Sequence, residues 1–402
     1  MIIRRAALKM TAIAAVSALA LTAGSGFSAM AANKELKIGV LGVMSGPAAS
    51  WGLVNRYCAE TTANMINAAG GIDIGGETYD IKIVSIDDRN DPKVAVTGAE
   101  RLVYEEKVKY IIGPNIDTTA AAIVPVVEKA GAVHFPYAFS KDLYTPPRGN
   151  SVLGMIASYQ AGPVIYKHLM DNNGVKKVAF VARNESDSIN QRTEGVEAAK
   201  KLGLEVVADS DTYEAGTTDF FPVMSRLVGL SPDLIVLSGV APSDAPLMLK
   251  SARELGYTGL MSTETAQDAT ILAEVAGDAA EGFISVGGAS TESIRTDEMN
   301  KFIDAYKEHV GEWNDEAGTK VYALEIILRT MQANPDSIND VEKFKAAMAT
   351  FSMKNPYVKG DSTLQYVGSS FFGQKRQISV PMVVNVYKGG NFETMFVGAV
   401  DG

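Results

Sequence analysis

Short apolar runs alternate with helix-like segments along most of the chain, and the stretch 110–140 shows the unit most clearly. The apolar run Tyr110–Ile112 is closed by Gly113-Pro114, and a second apolar run covers 132–137. Between them lies a segment at 118–130 with helical spacing. This pattern predicts a βαβ unit of a parallel sheet. Because ligands bind outside the carboxyl ends of such strands, the loops 114–117 and 137–140 are predicted to face one pocket.

The same unit recurs before and after this stretch. Further strands are predicted at 36–43, 79–86, 178–182, 205–208, 234–238, 282–286, 379–387 and 392–397. Helices are predicted at 49–69, 92–106, 194–202, 220–227, 247–255, 298–309, 320–333 and 341–350, with Asp91 as an N-cap before Pro92. Two such series predict an α/β protein with two doubly wound parallel-sheet lobes and a cleft between them.

The first 31 residues have the organisation of a secretory signal peptide. A basic start is followed by an apolar middle at 11–22 and by the small-residue end Ala29-Met30-Ala31, so cleavage is predicted near Ala31. The pair Arg4-Arg5 leaves open whether export uses a twin-arginine route or an ordinary one. No later run approaches the ~20 apolar residues of a membrane span, so no direct membrane insertion is expected after cleavage.

Charge and composition exclude several classes of function. The formal net charge of −10 includes three cations of the signal peptide, and such an acidic chain is not expected to bind nucleic acid. The single cysteine, Cys58, permits neither an internal disulfide nor a cysteine-based metal site. Dinucleotide, P-loop and Gly-x-Ser-x-Gly motifs are missing, and the three histidines are far apart in sequence. The sequence therefore predicts a protein that is not an enzyme and has no cofactor or metal.

Five motifs resemble one family. They are Ser45-Gly46-Pro47, INAAGGI at 66–72, DDRNDPKVAV at 87–96, YIIGP at 110–114 and GDAAEG at 277–282. In this order they are similar to the periplasmic substrate-binding proteins of branched-chain amino acid type ABC importers. The resemblance implies a periplasmic, monomeric, two-lobed clamp that delivers a small-molecule ligand to a membrane permease. It places three crossings near 157, 288 and 373, an N-terminal lobe at 36–156 plus 289–373, and a C-terminal lobe at 157–288 plus 374–402.

The resemblance also implies a set of ligand-binding positions. They are Trp51, Asp117, Ala138, Ser140, Asp187, Ala241 and Glu264. The chain departs from the family pattern at three of them, where Asp117 replaces a hydroxyl group and Asp187 and Ala241 replace aromatic groups. Two points stay open: a shift of one residue would make Thr265 the match instead of Glu264, and Asp117 either only caps its helix or also contacts the ligand.

An acidic residue at position 117 bears on the kind of ligand. If Asp117 lines the pocket, it would repel a ligand carboxylate, because like charges in a desolvated cleft raise the free energy. An amino acid or an amino-acid-like amine or amide is predicted as the solute, and Asp117 favours the amine or amide. The alternatives are an aromatic or aliphatic carboxylate, urea or another amide, and a ligand-sensing domain in place of a transport component.

Overall fold

The structure is a computed structural model that describes residues 33–398. The predicted signal peptide, the cleavage site near Ala31 and the last four residues of the predicted C-terminal lobe lie outside the described residues. Within 33–398, no helix is long and apolar enough to cross a bilayer.

Fifteen strands are described in residues 33–398. They are β1 (Lys34–Gly42), β2 (Ile72–Ile74), β3 (Glu77–Asp87), β4 (Tyr110–Ile112), β5 (Val133–Phe135), β6 (Lys177–Arg183), β7 (Glu205–Tyr213), β8 (Leu234–Ser238), β9 (Leu260–Ala266), β10 (Ile284–Gly287), β11 (Ser352–Lys354), β12 (Thr363–Val367), β13 (Gln377–Ile378), β14 (Met382–Lys388) and β15 (Asn391–Gly398).

Thirteen α-helices connect and cover these strands in the described part of the chain. They are α1 (Ala49–Ala68), α2 (Pro92–Glu100), α3 (Asp117–Ala130), α4 (Ser158–Asn173), α5 (Ser186–Leu202), α6 (Phe221–Gly229), α7 (Ala245–Glu254), α8 (Ala269–Val275), α9 (Asp297–Val310), α10 (Ala317–Lys320), α11 (Tyr322–Ala333), α12 (Val341–Met348) and α13 (Ser369–Phe372).

Two large sheets form the centres of two lobes. The first has the strand order β2-β3-β1-β4-β5, and the second has the order β15-β14-β10-β9-β8-β6-β7. Strands β3-β1-β4-β5 and β10-β9-β8-β6-β7 pair in parallel. The predicted α/β fold with two wound parallel sheets is therefore confirmed. Each sheet also has antiparallel strands at one edge, namely β2 in the first and the hairpin β14–β15 in the second.

The parallel strands are apolar because both faces of each sheet are covered by helices. In β6, Val178 and Phe180 pack in one cluster with α4 and α5. The alternate residues Ala179 and Val181 pack on the other face with α6, α7 and α8. The first sheet is covered in the same way, with α1, α9 and α11 on one face and α2 and α3 on the other. A strand buried on both faces gives the continuous apolar runs that made these strands visible in the sequence.

The chain passes between the two lobes three times. It leaves the first sheet after β5, leaves the second sheet after β10, and returns to it after the three-stranded sheet β11-β12-β13. The residues of this small sheet pack with the core of the first lobe. The lobe limits at 156, 288 and 373 stay a prediction.

Several elements differ from their predicted form. The helix expected at 92–106 is α2 followed by a π-helical turn at Arg101–Glu105, although its N-cap at Asp91 is confirmed by bonds from the amides of Lys93 and Val94. The helix expected at 320–333 is divided into α10 and α11. Strand β9 and the small sheet were not predicted. Strand β9 carries the polar run Ser-Thr-Glu-Thr at 262–265. A prediction based on apolar runs therefore does not detect this strand.

Candidate ligand-binding site

A cavity of about 50 Å³ lies between the lobes and is lined by residues of both. One water-sized group needs roughly 10–15 Å³, so the cavity has room for a small solute. The first lobe contributes Trp51, Asn115, Asp117, Tyr137, Ala138, Phe139, Met155, Glu316, Thr319 and Lys320. The second lobe contributes Asp187, Gln191, Thr265 and Ala266.

Most of these residues follow the carboxyl ends of parallel strands. Asn115 and Asp117 come after β4, the segment 137–139 follows β5, and Asp187 and Gln191 lie on α5 directly after β6. The carboxyl ends of parallel strands meet at one edge of a sheet, where backbone groups and helix starts are free to contact a ligand. The two loops that the sequence pattern placed at one pocket both contribute to this cavity.

Asp117 connects these two loops through its side chain. Its Oδ1 accepts hydrogen bonds from the backbone N–H of Phe139 at 2.7 Å and of Ser140 at 3.0 Å. Asp117 is the first residue of α3, whereas the N-cap residue is Ile116, and no side chain caps this helix. The interpretation of Asp117 as only a helix cap is therefore wrong. Burial raises the pKa of Asp117, and hydrogen bonds from Ser140, Phe139 and the Asn190 side chain act in the opposite direction.

Three buried hydrogen-bond acceptors of the lining have no hydrogen-bond partner among the described residues. They are Asp187 Oδ1, Gln191 Oε1 and Asn115 Oδ1. Burial raises the pKa of Asp187 to about 6, with Arg183 lowering it and Asp117 raising it. Leaving buried acceptors without donors is unfavourable, so groups of this kind indicate a site where a ligand donates hydrogen bonds.

The basic residues at the cavity already have acidic partners. Lys320 Nζ lies 2.9 Å from Glu316 Oε2 and donates to the carbonyl oxygen of Trp51 at 3.1 Å. Arg183, which is buried, lies 2.7 Å from Glu185 and has its guanidinium 5.4 Å from the centre of the Trp51 ring. The lining itself holds three carboxyl groups, at Asp117, Asp187 and Glu316, and one ammonium group.

Four of the seven predicted site residues line the cavity: Trp51, Asp117, Ala138 and Asp187. Ser140, Ala241 and Glu264 are not among the lining residues. The backbone N–H of Ser140 is bonded to Asp117, and the carbonyl oxygen of Ala241 accepts from Asp244 and Ala245 at the start of α7. The contact of each of the seven with a ligand stays a prediction.

Glu264 of β9 is not among the residues that line the cavity. Its Oε1 accepts a short hydrogen bond from the Tyr166 hydroxyl of α4, and burial raises the pKa of Glu264 to about 7. The next two residues of the strand, Thr265 and Ala266, do line the cavity. The alternative match at Thr265 therefore agrees better with the geometry than Glu264 does.

Sequence reasoning missed most of the lining. The missed residues are Asn115, Tyr137, Phe139, Met155, Gln191, Thr319, Glu316, Lys320 and Ala266. Asn115 and Phe139 lie in the two loops that were predicted to face one pocket, so the position of these loops was enough to identify both residues as candidates. For Glu316 and Lys320, the available signal was an acid and a base four residues apart just before an apolar helix.

The lobes contact each other across the cleft at several points. Lys141 and Glu194 form an ion pair at 3.1 Å. Asp268 and Asp315 make a reciprocal contact: the N–H of Asp315 donates to Asp268 Oδ2 at 3.0 Å, and the N–H of Ala269 donates to Asp315 Oδ2 at 3.1 Å. These contacts hold the two walls of the cavity together.

Comparisons with known proteins agree with this architecture. The Leu/Ile/Val-binding protein of Escherichia coli K12 is 27% identical over 349 residues, covering 83% of this chain and 90% of that protein. A branched-chain amino acid transporter substrate-binding protein from Streptococcus pneumoniae, solved with isoleucine, superposes with a TM-score of 0.77 at 21% identity, covering 92% of this chain and 100% of that one.

A second solved structure holds a different ligand. A solute-binding protein of an ABC transporter from Rhodopseudomonas palustris, in complex with benzoate, has a TM-score of 0.75 at 18% identity and covers 91% of this chain and 97% of that one. The family model described as periplasmic binding protein matches residues 35–390. The prediction of a binding protein, as opposed to an enzyme, is confirmed by these relatives. The chain belongs to the periplasmic binding protein family.

Proposed function

We propose that this protein is the exported solute-binding component of an ABC importer, acting as a monomer in the periplasm. It captures a small polar solute, an amino acid or a related amine or amide, in the cavity between the lobes and presents it to a membrane permease. One observation carries the proposal: both lobes contribute polar side chains to one buried cavity, and three acceptors there lack a partner among the described residues.

The two-lobed geometry supports a clamp mechanism. A solute that touches α3 and the loop after β5 on one side and α5 and the end of β9 on the other makes its full set of contacts only when the lobes are together. Such differential contacts shift the population towards the closed form. The permease would then distinguish the closed, loaded protein from the open one by the relative position of its lobes.

The named relatives support the solute class without fixing the ligand. One solved relative holds isoleucine and another holds benzoate, so proteins that share this fold accept different small molecules. The choice between them must lie in the side chains of the lining. Here the lining combines aromatic residues at Trp51, Tyr137 and Phe139 with carboxyl groups at Asp117 and Asp187.

We expect a thermal-shift screen of the mature chain, from Ala32 onward, to find a stabilising solute among amino acids, amines, amides and aromatic acids. A ligand present at 100 times its dissociation constant adds about 2.7 kcal/mol to the free energy of unfolding, which gives a clear rise in Tm. Nucleotides and sugars serve as controls and should leave Tm unchanged. If amino acids, amines and amides all leave Tm unchanged, the proposed solute class is wrong, even if an aromatic acid raises Tm.

A further inference from the structure

We infer that the solute is a small organic amine without a free carboxylate, and that Asp187 and Gln191 receive its N–H groups. This inference rests on the proposed function, because it names the ligand class of the same cavity. It follows from three features of the lining: the bonds made by Asp117, the acceptors left without donors, and the balance of charge.

Asp117 already uses the backbone donors of the loop after β5. Its Oδ1 accepts the N–H groups of both Phe139 and Ser140, at 2.7 Å and 3.0 Å. Asp117 and Phe139 both line the cavity. A ligand carboxylate directed at this loop would meet a carboxyl group in place of free donors, and like charges in a buried site repel. The Asp117 carboxyl group thus already occupies the backbone donors that a ligand carboxylate would need.

The unpartnered groups of the lining itself are acceptors, whereas Arg183, whose guanidinium lies beside Trp51 and outside the lining, has Nε and Nη2 without a hydrogen-bond partner among residues 33–398. Asp187 is buried with Oδ1 unpaired, and Gln191, one helical turn later on α5, is buried with Oε1 unpaired. Asn115 also has Oδ1 without a donor in the described part of the chain, but this atom packs against Gly42, while its Nδ2 donates to the carbonyl oxygen of Trp51 at 3.2 Å. An ammonium group, which has three donors and no acceptor, matches the acceptors of Asp187 and Gln191.

The charge of the lining also favours a cation. Three carboxyl groups face one ammonium group, that of Lys320, so the formal charge of the lining is −2 when all four groups are ionised. Lys320 is already ion-paired with Glu316 at 2.9 Å. A bound cation would offset this excess, whereas a carboxylate would increase it. The aromatic rings of Trp51, Tyr137 and Phe139 are suited to cover the apolar part of the amine.

A matched pair of ligands tests the inference on the unmodified chain. Leucine and 3-methylbutylamine share one alkyl skeleton and an amino group, and they differ by the carboxylate. We expect titration calorimetry to give the amine a Kd at least about tenfold lower than that of leucine, because hydrogen bonds to charged groups are worth about this factor or more. Leucinamide, which keeps the amine and loses the charge of the carboxylate, should also bind more tightly than leucine.

Two variants then assign the effect to residues. Asp187→Asn should weaken amine binding by about ten- to a hundredfold. Its control is Asp244→Asn, since Asp244 is a buried aspartate of the same lobe that bonds to Tyr213 and Ser243 and is not among the lining residues. Asp117→Ser frees the Phe139 and Ser140 amides and should shift the preference towards leucine. Circular dichroism of each variant checks that it is folded.

The outcomes separate the two proposals. If leucine or benzoate binds the unmodified chain as tightly as the amine, the inference is overturned while the proposed solute-binding function stands. If amines, amides, amino acids and aromatic acids all fail to bind, both the inference and the proposed function are wrong. An unchanged ligand ranking in folded Asp117→Ser would also contradict the inference.

Discussion

Replacing Lys320 by methionine is expected to lower the free energy of unfolding by about 3–5 kcal/mol. Lys320 and Glu316 are both almost fully buried, and their charged groups lie 2.9 Å apart. Without the ammonium group, the Glu316 carboxylate would keep only the Ser50 hydroxyl, 3.1 Å away, as a side-chain donor. A buried charge without a counter-charge is what makes this loss large. Urea denaturation at pH 7, followed by circular dichroism, measures it.

The double variant Lys320→Met with Glu316→Gln should recover a large part of this loss, because it removes both charges together. The matched control is the pair Lys167–Asp171, which has the same spacing of four residues and a distance of 2.7 Å but is exposed to solvent. Lys167→Met should change the free energy of unfolding by less than about 1 kcal/mol. Equal losses for Lys320→Met and Lys167→Met would contradict the role of the buried pair.

Replacing Glu264 by glutamine is expected to stabilise the protein more at pH 8 than at pH 5. Glu264 is buried, and its pKa is raised to about 7 from an ordinary value near 4.5. Between a pH near 4.5 and a pH near 7, the Glu264 carboxyl group keeps its proton in the folded chain and loses it in the unfolded chain. The free energy of unfolding therefore falls as the pH rises. The amide oxygen of the substituted side chain can still accept from the Tyr166 hydroxyl, and the amide does not ionise.

The difference in unfolding free energy between Glu264→Gln and the unmodified chain should therefore grow by about 2.5 kcal/mol from pH 5 to pH 8. Other groups that titrate in this range are common to both proteins and cancel in the difference. Chemical denaturation at several pH values is the measurement. A difference that stays constant with pH would show that Glu264 is not buried in the way described, and would reopen its predicted place in the ligand site.

The sheets could be predicted from the sequence because their strands are buried on both faces. Residues 178–182 and 234–237 are continuous apolar runs, and a strand of that kind needs no knowledge of its partners to be recognised. The final hairpin was also predictable, because Gly389-Gly390 stands between two predicted strands. In the structure both glycines have the positive φ that a tight turn between antiparallel strands requires. Local pattern and local turn chemistry were sufficient in these places.

The cavity could be predicted only in part, because its residues come together through packing. Glu316 and Lys320 line it together with Asp117, about 200 residues earlier in the chain, and no local pattern links them. Strand β9 shows a second limit. Its polar residues concealed it, and without the strand the positions of Glu264 and Thr265 relative to the cavity could not be assigned. A shift of one residue in such a strand exchanges the two faces completely.

At Asp117 the structure adds contacts that the sequence pattern does not contain. The sequence singled out Asp117 as a departure from the family pattern, with a capping and a ligand-binding interpretation both open. The bonds from Phe139 and Ser140 exclude capping alone, because the carboxyl group reaches the neighbouring loop and not the start of its own helix. That contact depends on the separation of two loops, which no single-sequence pattern reports.

The fluorescence of Trp51 reports directly whether an amine binds in the cavity between the lobes. The chain has two tryptophans, Trp51 and Trp313, so a Trp313→Phe variant leaves Trp51, which lines the cavity, as the sole reporter. We expect 3-methylbutylamine to change this emission saturably, at concentrations about tenfold lower than leucine requires. An emission that does not change while calorimetry records binding, or a response to leucine at the lower concentration, would contradict this expectation.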